Sequence, residues 1–325
     1  MILRPDPWYR RLFSEGAFII AVILGVLFVI FTATQGDALS QSVLTDILNN
    51  SLPLALASAG GTLVVLTGGF DLSVAGVISL TNVLVAVWGG EGPLGAAEGL
   101  AIAVAVGALV GVVNGVLVAY WNVQSIALTL ATAIMCGGAA LVVLDAPGGY
   151  VSHFMNYGLT GEVDGVVSVA LVVAVVLYGI WFLLRRTDWG IGLYAIGADE
   201  TAALLAGVPV RRVKLLAYVL AGVCYGFAGF MLTALNAAGI PNVGDPYFLL
   251  VFAAIALGGT SFAGGRGGVA GSMLGALTLT LLQKVLFSTG VSSFYTGIFQ
   301  GVIMIVAVIV AAVSARFFSG REVRS

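Results

Sequence analysis

Ten apolar runs, each long enough or nearly long enough to cross a hydrocarbon core of ~30 Å, take up most of this chain. They fall at 17–34, 49–67, 72–88, 99–119 and 124–144 in the first half. The second half repeats the number at 166–184, 213–236, 247–260, 268–287 and 296–314. A chain cut this way can satisfy its backbone in lipid only by folding each run as a helix. Composition agrees: 9% of residues are charged, against about a quarter in soluble domains. The fold class predicted is an all-α integral membrane protein of ten transmembrane helices, forming one transmembrane domain over residues 1–325.

Charge placement orients the spans. With the N-terminus in the cytoplasm and sides alternating, Arg4, Arg10, Arg11, Arg185, Arg186, Arg211, Arg212, Lys214, Arg266, Arg316, Arg321 and Arg324 all fall inside. Only Lys284, near the outer end of the ninth run, falls elsewhere. The loops that carry Asp37, Asp46, Glu91, Glu98, Asp145, Glu162, Asp164 and Asp245 contain no Lys or Arg and lie outside. Both termini are therefore predicted to be cytoplasmic. The run after Arg11 exceeds a signal peptide's apolar region and lacks a cleavage site behind it, so it reads as a retained first span.

The longest polar interruption, 185–214, reads RRTDWGIGLYAIGADETAALLAGVPVRRVK and lies inside on this topology. It contains a short helix with clear punctuation. Asp199 can accept the first free N–H groups, Gly207 can take the left-handed position after the last turn, and Pro209 forbids continuation. A helix carrying Ala202, Ala203, Leu204 and Leu205 between two basic clusters reads as a docking element; the alternative is a helix lying on the lipid surface.

Two glycine-rich breaks interrupt the spans. TGGFDLSVAG (67–76) is so short that its neighbouring helices end within the membrane or at its edge. Irregular backbone at that depth is tolerated where it is buried in protein or lines a wet cavity. Asp71 there is read either as a helix cap or as a contact for a transported molecule. The second break, LGGTSFAGGRGGVAG (257–271), opens on a similar Gly-Gly pair, a hint of an internal repeat. Glycine stripes at Gly107, Gly111 and Gly115, and at Gly267, Gly271 and Gly275, suit close helix packing. Phe70, Asp71, Asn82, Asn114, Gln124, Thr129 and Asn236 are candidates to line a path for a polar, uncharged solute. For the amides the competing role is hydrogen bonding between helices.

The spans lack the series of buried ionisable residues that an ion-coupled carrier uses, which points to an energy source outside them. No GxxxxGK[ST] phosphate loop occurs. His153 stands alone in an outer loop, Cys136 and Cys224 lie in apolar runs, and no nucleophile–base pair is readable. Neither a cofactor nor a catalytic or metal site is expected. The chain reads as a non-enzymatic subunit driven by something that docks on it.

Four stretches, TGGFDLSVAGVISL, NGVLVAYWNVQSIALTLATAIMCGG, YAIGADETAALLAGVPVRRVKLLAYVLAGVCYGFAGF and LGGTSFAGGRGGVAGSMLGAL, stand in order between about residues 52 and 313. Together they resemble the permease subunits of bacterial ribose/galactose-type ABC importers. The resemblance implies a ten-span inner-membrane permease paired with a second copy or a paralogue. It implies two further partners, a cytoplasmic ATPase and a periplasmic solute-binding protein. It also implies that 199–207 is the coupling helix, with Asp199, Glu200, Ala203, Leu204, Gly207 and Arg211 as ATPase-coupling residues. Members of that family commonly have Ile where Phe70 stands and Gly where Ala75 stands. The implied cargo is a monosaccharide or related polyol. A branched-chain amino acid, or an ATP-independent carrier or channel, is the alternative, and a membrane-embedded enzyme is a further rival class.

Overall fold

The computed structural model describes residues 17–290 and five isolated positions beyond them, 295, 298, 301, 302 and 305. Apart from those positions, the tenth predicted span (296–314) lies outside the described residues, as do Arg4, Arg10, Arg11, Arg316, Arg321 and Arg324.

The helices run in order as α1 (Ala17–Thr34), α2 (Gln41–Leu66), α3 (Val74–Trp88), α4 (Gly92–Ala119) and α5 (Ser125–Val143). After a π-helical turn at Phe154–Gly158 and a hairpin of β1 (Glu162–Val163) with β2 (Val167–Ser168) come α6 (Val169–Leu184), α7 (Asp188–Ala198) and α8 (Glu200–Leu205). Then follow α9 (Val210–Asn236), α10 (Tyr247–Leu257) and α11 (Val269–Ser288). Among the described residues the regular structure is helical apart from that hairpin of two-residue strands on the loop before α6.

Four of the described helices, α4, α5, α9 and α11, are individually long and apolar enough to cross a membrane. The pair α6 and α7 passes the same test together but is bent by 78° between them. At 1.5 Å per residue, the 11 residues of α10 reach only about 16 Å, roughly half a hydrocarbon core. It stops at the second glycine-rich break, as α2 stops at the first.

Two helical segments go beyond the apolar runs. The helix that holds the second run begins at 41, eight residues before the run itself, because the polar residues ahead of it join the helix. Ser40 caps α2 by accepting from Val43 N at 3.4 Å. Gln41 and Thr45 donate to the two oxygens of Glu162 at 2.6 and 2.8 Å. The interruption 185–214 also holds a second helix, α7, capped by Thr187 Oγ1 accepting from Gly190 N at 3.3 Å.

The apolar pattern is inverted relative to a soluble protein. The buried face of α4 is a narrow line of Gly95, Ala103, Gly107, Gly111, Asn114, Gly115 and Ala119 among others. Large side chains such as Leu109, Ile134, Met135 and Val142 face outward. The glycine line packs on α9: a Cβ at Gly107 would lie 2.1 Å from Gly222 O, and one at Gly111 2.5 Å from Tyr218 O. No side chain fits between these backbones, which is how small residues hold helices together where lipid gives no hydrophobic drive.

Three apolar clusters follow. The largest joins α2, α3, α9 and α10 around the fully buried Tyr218 and Tyr225. A second packs Trp181, Leu193, Ile196, Ala203 and Val213 where α7 and α8 meet the start of α9. A third seats α1 on α11 through Phe31, Ile47, Leu281 and Val285. Lys284, the one basic residue assigned to the outer side, forms an ion pair with Asp46 of α2.

Candidate coupling helix and solute path

The short helix α8 is built from local signals. Asp199, with extended backbone, accepts from Ala202 N through Oδ1 at 3.0 Å and so caps α8. At its far end Val208 N donates to Ala203 O and Gly207 N to Leu204 O, both at 3.0 Å. This is a complete Schellman motif, and it requires the left-handed φ of +86° that Gly207 adopts. Ala203 is buried and anchors the helix on α9, while Leu204 and Leu205 stand 63% and 85% exposed. Glu200 turns back to accept from Lys214 Nζ at 2.7 Å. Arg211 is exposed on the first turn of α9, its guanidinium 5.9 Å from the centre of the Tyr120 ring.

Gly197, two residues before the cap of α8, is a steric junction that the sequence did not reveal. A Cβ at Gly197 would lie 2.0 Å from Leu66 O and 2.3 Å from Gly265 N. Gly265 N itself donates to Leu66 O at 3.0 Å. The end of α7 therefore sits backbone to backbone against both glycine-rich breaks, one residue from the cap of α8.

The first break is sewn to three helices. Phe70 N donates to Ser125 Oγ at 3.4 Å, and Phe70 O accepts from Tyr218 OH at 3.3 Å. Leu72 N donates to Thr129 Oγ1 at 2.9 Å. Asp71 is 2% exposed, and its Oδ1 accepts from Ser73 N at 3.0 Å and Ser73 Oγ at 2.6 Å. Ser73 Oγ in turn accepts from Asn114 Nδ2 at 3.1 Å, and Asn114 Oδ1 accepts from Thr132 Oγ1 at 2.8 Å. Asp71 Oδ2 is buried without a protein partner. The Phe70 ring packs against Phe252 and Phe262, centroids 5.8 and 5.7 Å away.

Phe70, Asp71, Asn114 and Thr129 are thus brought into one network. The other path candidates are elsewhere. Asn82 joins α3 to the far end of α9, donating to Thr233 Oγ1 at 2.8 Å and accepting from Ile240 N at 2.5 Å. Gln124 precedes α5 and Asn236 ends α9, both exposed. Bonds of this kind between α3 and the end of α9 are expected to carry stability. Asn82→Leu is expected to cost about 1–3 kcal/mol, the penalty for buried partners left unmade, read as a lower thermal unfolding midpoint. The apparent KM for solute should not move; a changed KM with an unchanged midpoint would place Asn82 on the path instead.

Two cavities flank the network. One of about 530 Å³ lies between α3, α5 and α10, lined by Gly76, Ser79, Ala133, Gly137, Asp245 and Phe248 among others. None of the path candidates lines it; its polar members are Ser79 and Asp245, the latter marked in the sequence only as an outer-loop acid. The other, about 280 Å³, lies under the first break and reaches Glu200 and Lys214.

Residues 43–308 match the family model described as the branched-chain amino acid transport system / permease component. The chain belongs to this family. It is 33% identical over 286 residues to the ribose import permease of Escherichia coli strain K12, covering 84% of this chain and 87% of that one. To the ribose import permease of Bacillus subtilis strain 168 it is 34% identical over 291 residues, 86% and 85% of the two chains. To the L-arabinose ABC transporter permease of Azospirillum brasilense it is 31% identical over 279 residues, 85% and 81%. No solved structure matches it. The permease is a multi-pass protein of the inner membrane, consistent with its apolar helices.

Proposed function

We propose that this permease is the transmembrane subunit of an ATP-driven importer of a monosaccharide or related polyol. In this reading it is one domain of ten spans with both termini cytoplasmic. It pairs with a second copy or a paralogue and receives solute from a periplasmic binding protein. ATP is hydrolysed on a separate cytoplasmic ATPase. Closure of that ATPase moves 199–207, and α7 carries the motion through Gly197 into both glycine-rich breaks, so that access alternates between the two sides.

The observation that carries the reading is the form of α8. It is a helix of one and a half turns, stopped at both ends and anchored by Ala203, that presents Leu204 and Leu205 to solvent. An exposed apolar pair on a rigid mount suits a partner's cleft. Sugar as cargo is supported by relatives named for ribose, L-arabinose and D-allose. The family's own description favours a second cargo, a branched-chain amino acid.

Reconstitution with the cognate ATPase and binding protein tests the proposal. ATP-dependent uptake of ribose, L-arabinose or D-allose is expected, with leucine not taken up. Uptake of leucine alone would favour the second cargo. Sugar movement by the permease without an ATPase, driven by an ion gradient, would overturn the importer.

A further inference from the structure

We propose that the 280 Å³ recess under the first break is an inner station for the solute, a polar site for a neutral polyhydroxylated ring on its way to the cytoplasm. The inference rests on the importer reading above and names a site within it. The volume is that of about nine water molecules, comparable with one sugar ring. Its lining is mixed in the way a polyol needs. Lys214 supplies ammonium donors, Glu200 carboxylate acceptors, and Thr67, Asn122, Ser125 and Tyr218 hydroxyl and amide groups of both kinds.

The Lys214–Glu200 pair, 2.7 Å apart, makes the charged part of the lining neutral overall. A net anion would be repelled by Glu200 and a net cation by Lys214, the more enclosed of the two, whereas a neutral solute meets neither repulsion. The only apolar side chains on the wall are Val118 and Val123, too little to receive a branched aliphatic group.

Two bonds at the recess are poised for exchange. Phe70 N donates to Ser125 Oγ at 3.4 Å and Phe70 O accepts from Tyr218 OH at 3.3 Å, both beyond the usual hydrogen-bond range, so solute hydroxyls can replace these side chains at low cost. Phe70 belongs to the aromatic group with Phe252 and Phe262, so loosening its peptide loosens that packing. Glu200 sits on α8. A movement of α8 relative to Lys214 on α9 would open the ion pair, and by this proposal the station's affinity for solute then falls as the ATPase moves that helix.

The test places a thiol on the wall with Val123→Cys and labels it in inside-out vesicles with a membrane-impermeant maleimide. The parent chain gives the background from Cys136 and Cys224. Ribose, L-arabinose or D-allose is expected to slow labelling about elevenfold at ten times its dissociation constant, since only the empty recess reacts. Ribose 5-phosphate and leucine should not protect. Adding Lys214→Met should shift the protecting concentration upward about tenfold, the weight of one charge-assisted hydrogen bond. Ser125→Ala, which removes one hydroxyl without touching charge, should shift it less, and it serves if the Lys214 variant is not folded. Absence of protection by any of the three sugars, in vesicles that import one of them, overturns the station and leaves the importer standing. Protection by leucine equal to that by sugar also overturns it. Import of leucine and of none of the sugars overturns the sugar reading and the station with it.

Discussion

Gly197→Ala is expected to destabilise the permease by about 1–3 kcal/mol, the range for overpacking a close-packed site, and to cut ATP-driven uptake about tenfold or more. The added methyl has nowhere to go. Its position lies 2.0 Å from Leu66 O and 2.3 Å from Gly265 N, both backbone atoms, with Gly264 C at 3.0 Å. Neither neighbour is the end of a flexible side chain that can turn aside. The methyl also sits across the Gly265–Leu66 hydrogen bond, so relief requires the two glycine-rich breaks to part. Gly179→Ala is the control. It lies in α6, nothing stands within 4 Å of its built Cβ, and alanine there should be neutral or stabilise by up to about 1 kcal/mol. Thermal unfolding of the purified permease and uptake in reconstituted vesicles are the two measurements. Wild-type values of both for Gly197→Ala would show that the junction is not closed in the working protein.

Leu204→Arg is expected to do the reverse: leave folding intact and abolish coupling. Leu204 is 63% exposed, so it does not support the apolar cluster beneath. A central apolar anchor at an interface carries about 2 kcal/mol or more, equivalent to about thirtyfold in affinity. Titration of the ATPase onto the permease should show that loss, together with ATP hydrolysis that no longer responds to solute-loaded binding protein. The unfolding midpoint should stay put. Ala203→Leu, one residue earlier but 4% exposed, should instead lower the midpoint. Wild-type ATPase affinity and uptake in Leu204→Arg would remove α8 from the coupling interface.

The contrast between α8 and α7 shows what the sequence could carry. Both ends of α8 are written within eleven residues: Asp199 bonds to Ala202, Gly207 closes the Schellman turn, and Pro209 follows. Its neighbour α7 has Gly190, Gly192 and Gly197 among its 11 residues, a poor helix former by intrinsic preference. What holds it are partners far along the chain, with Trp189 Nε1 donating to Val213 O and Tyr194 OH to Gly267 O. The early start of α2 was hidden for the same reason, since Glu162, which receives Gln41, is 121 residues away. Among the path candidates, residue type alone marked Asp71, Asn114 and Thr129, which do share a network. It equally marked Asn82, whose partner Thr233 is 151 residues distant and whose bonds tie helices together. An amide's chemistry is the same in both roles. Only the fold separates them.

The 78° bend between α6 and α7 sets the scale of any motion that passes through this part of the molecule. With 11 residues, α7 is an arm of about 16 Å, and turning it about 10° at the bend sweeps its far end through about 3 Å. That sweep exceeds the clearance at Gly197, where not even a methyl group fits. Toward the two breaks the arm has no slack, so a push on α8 in that direction is passed to them directly instead of being taken up as clearance.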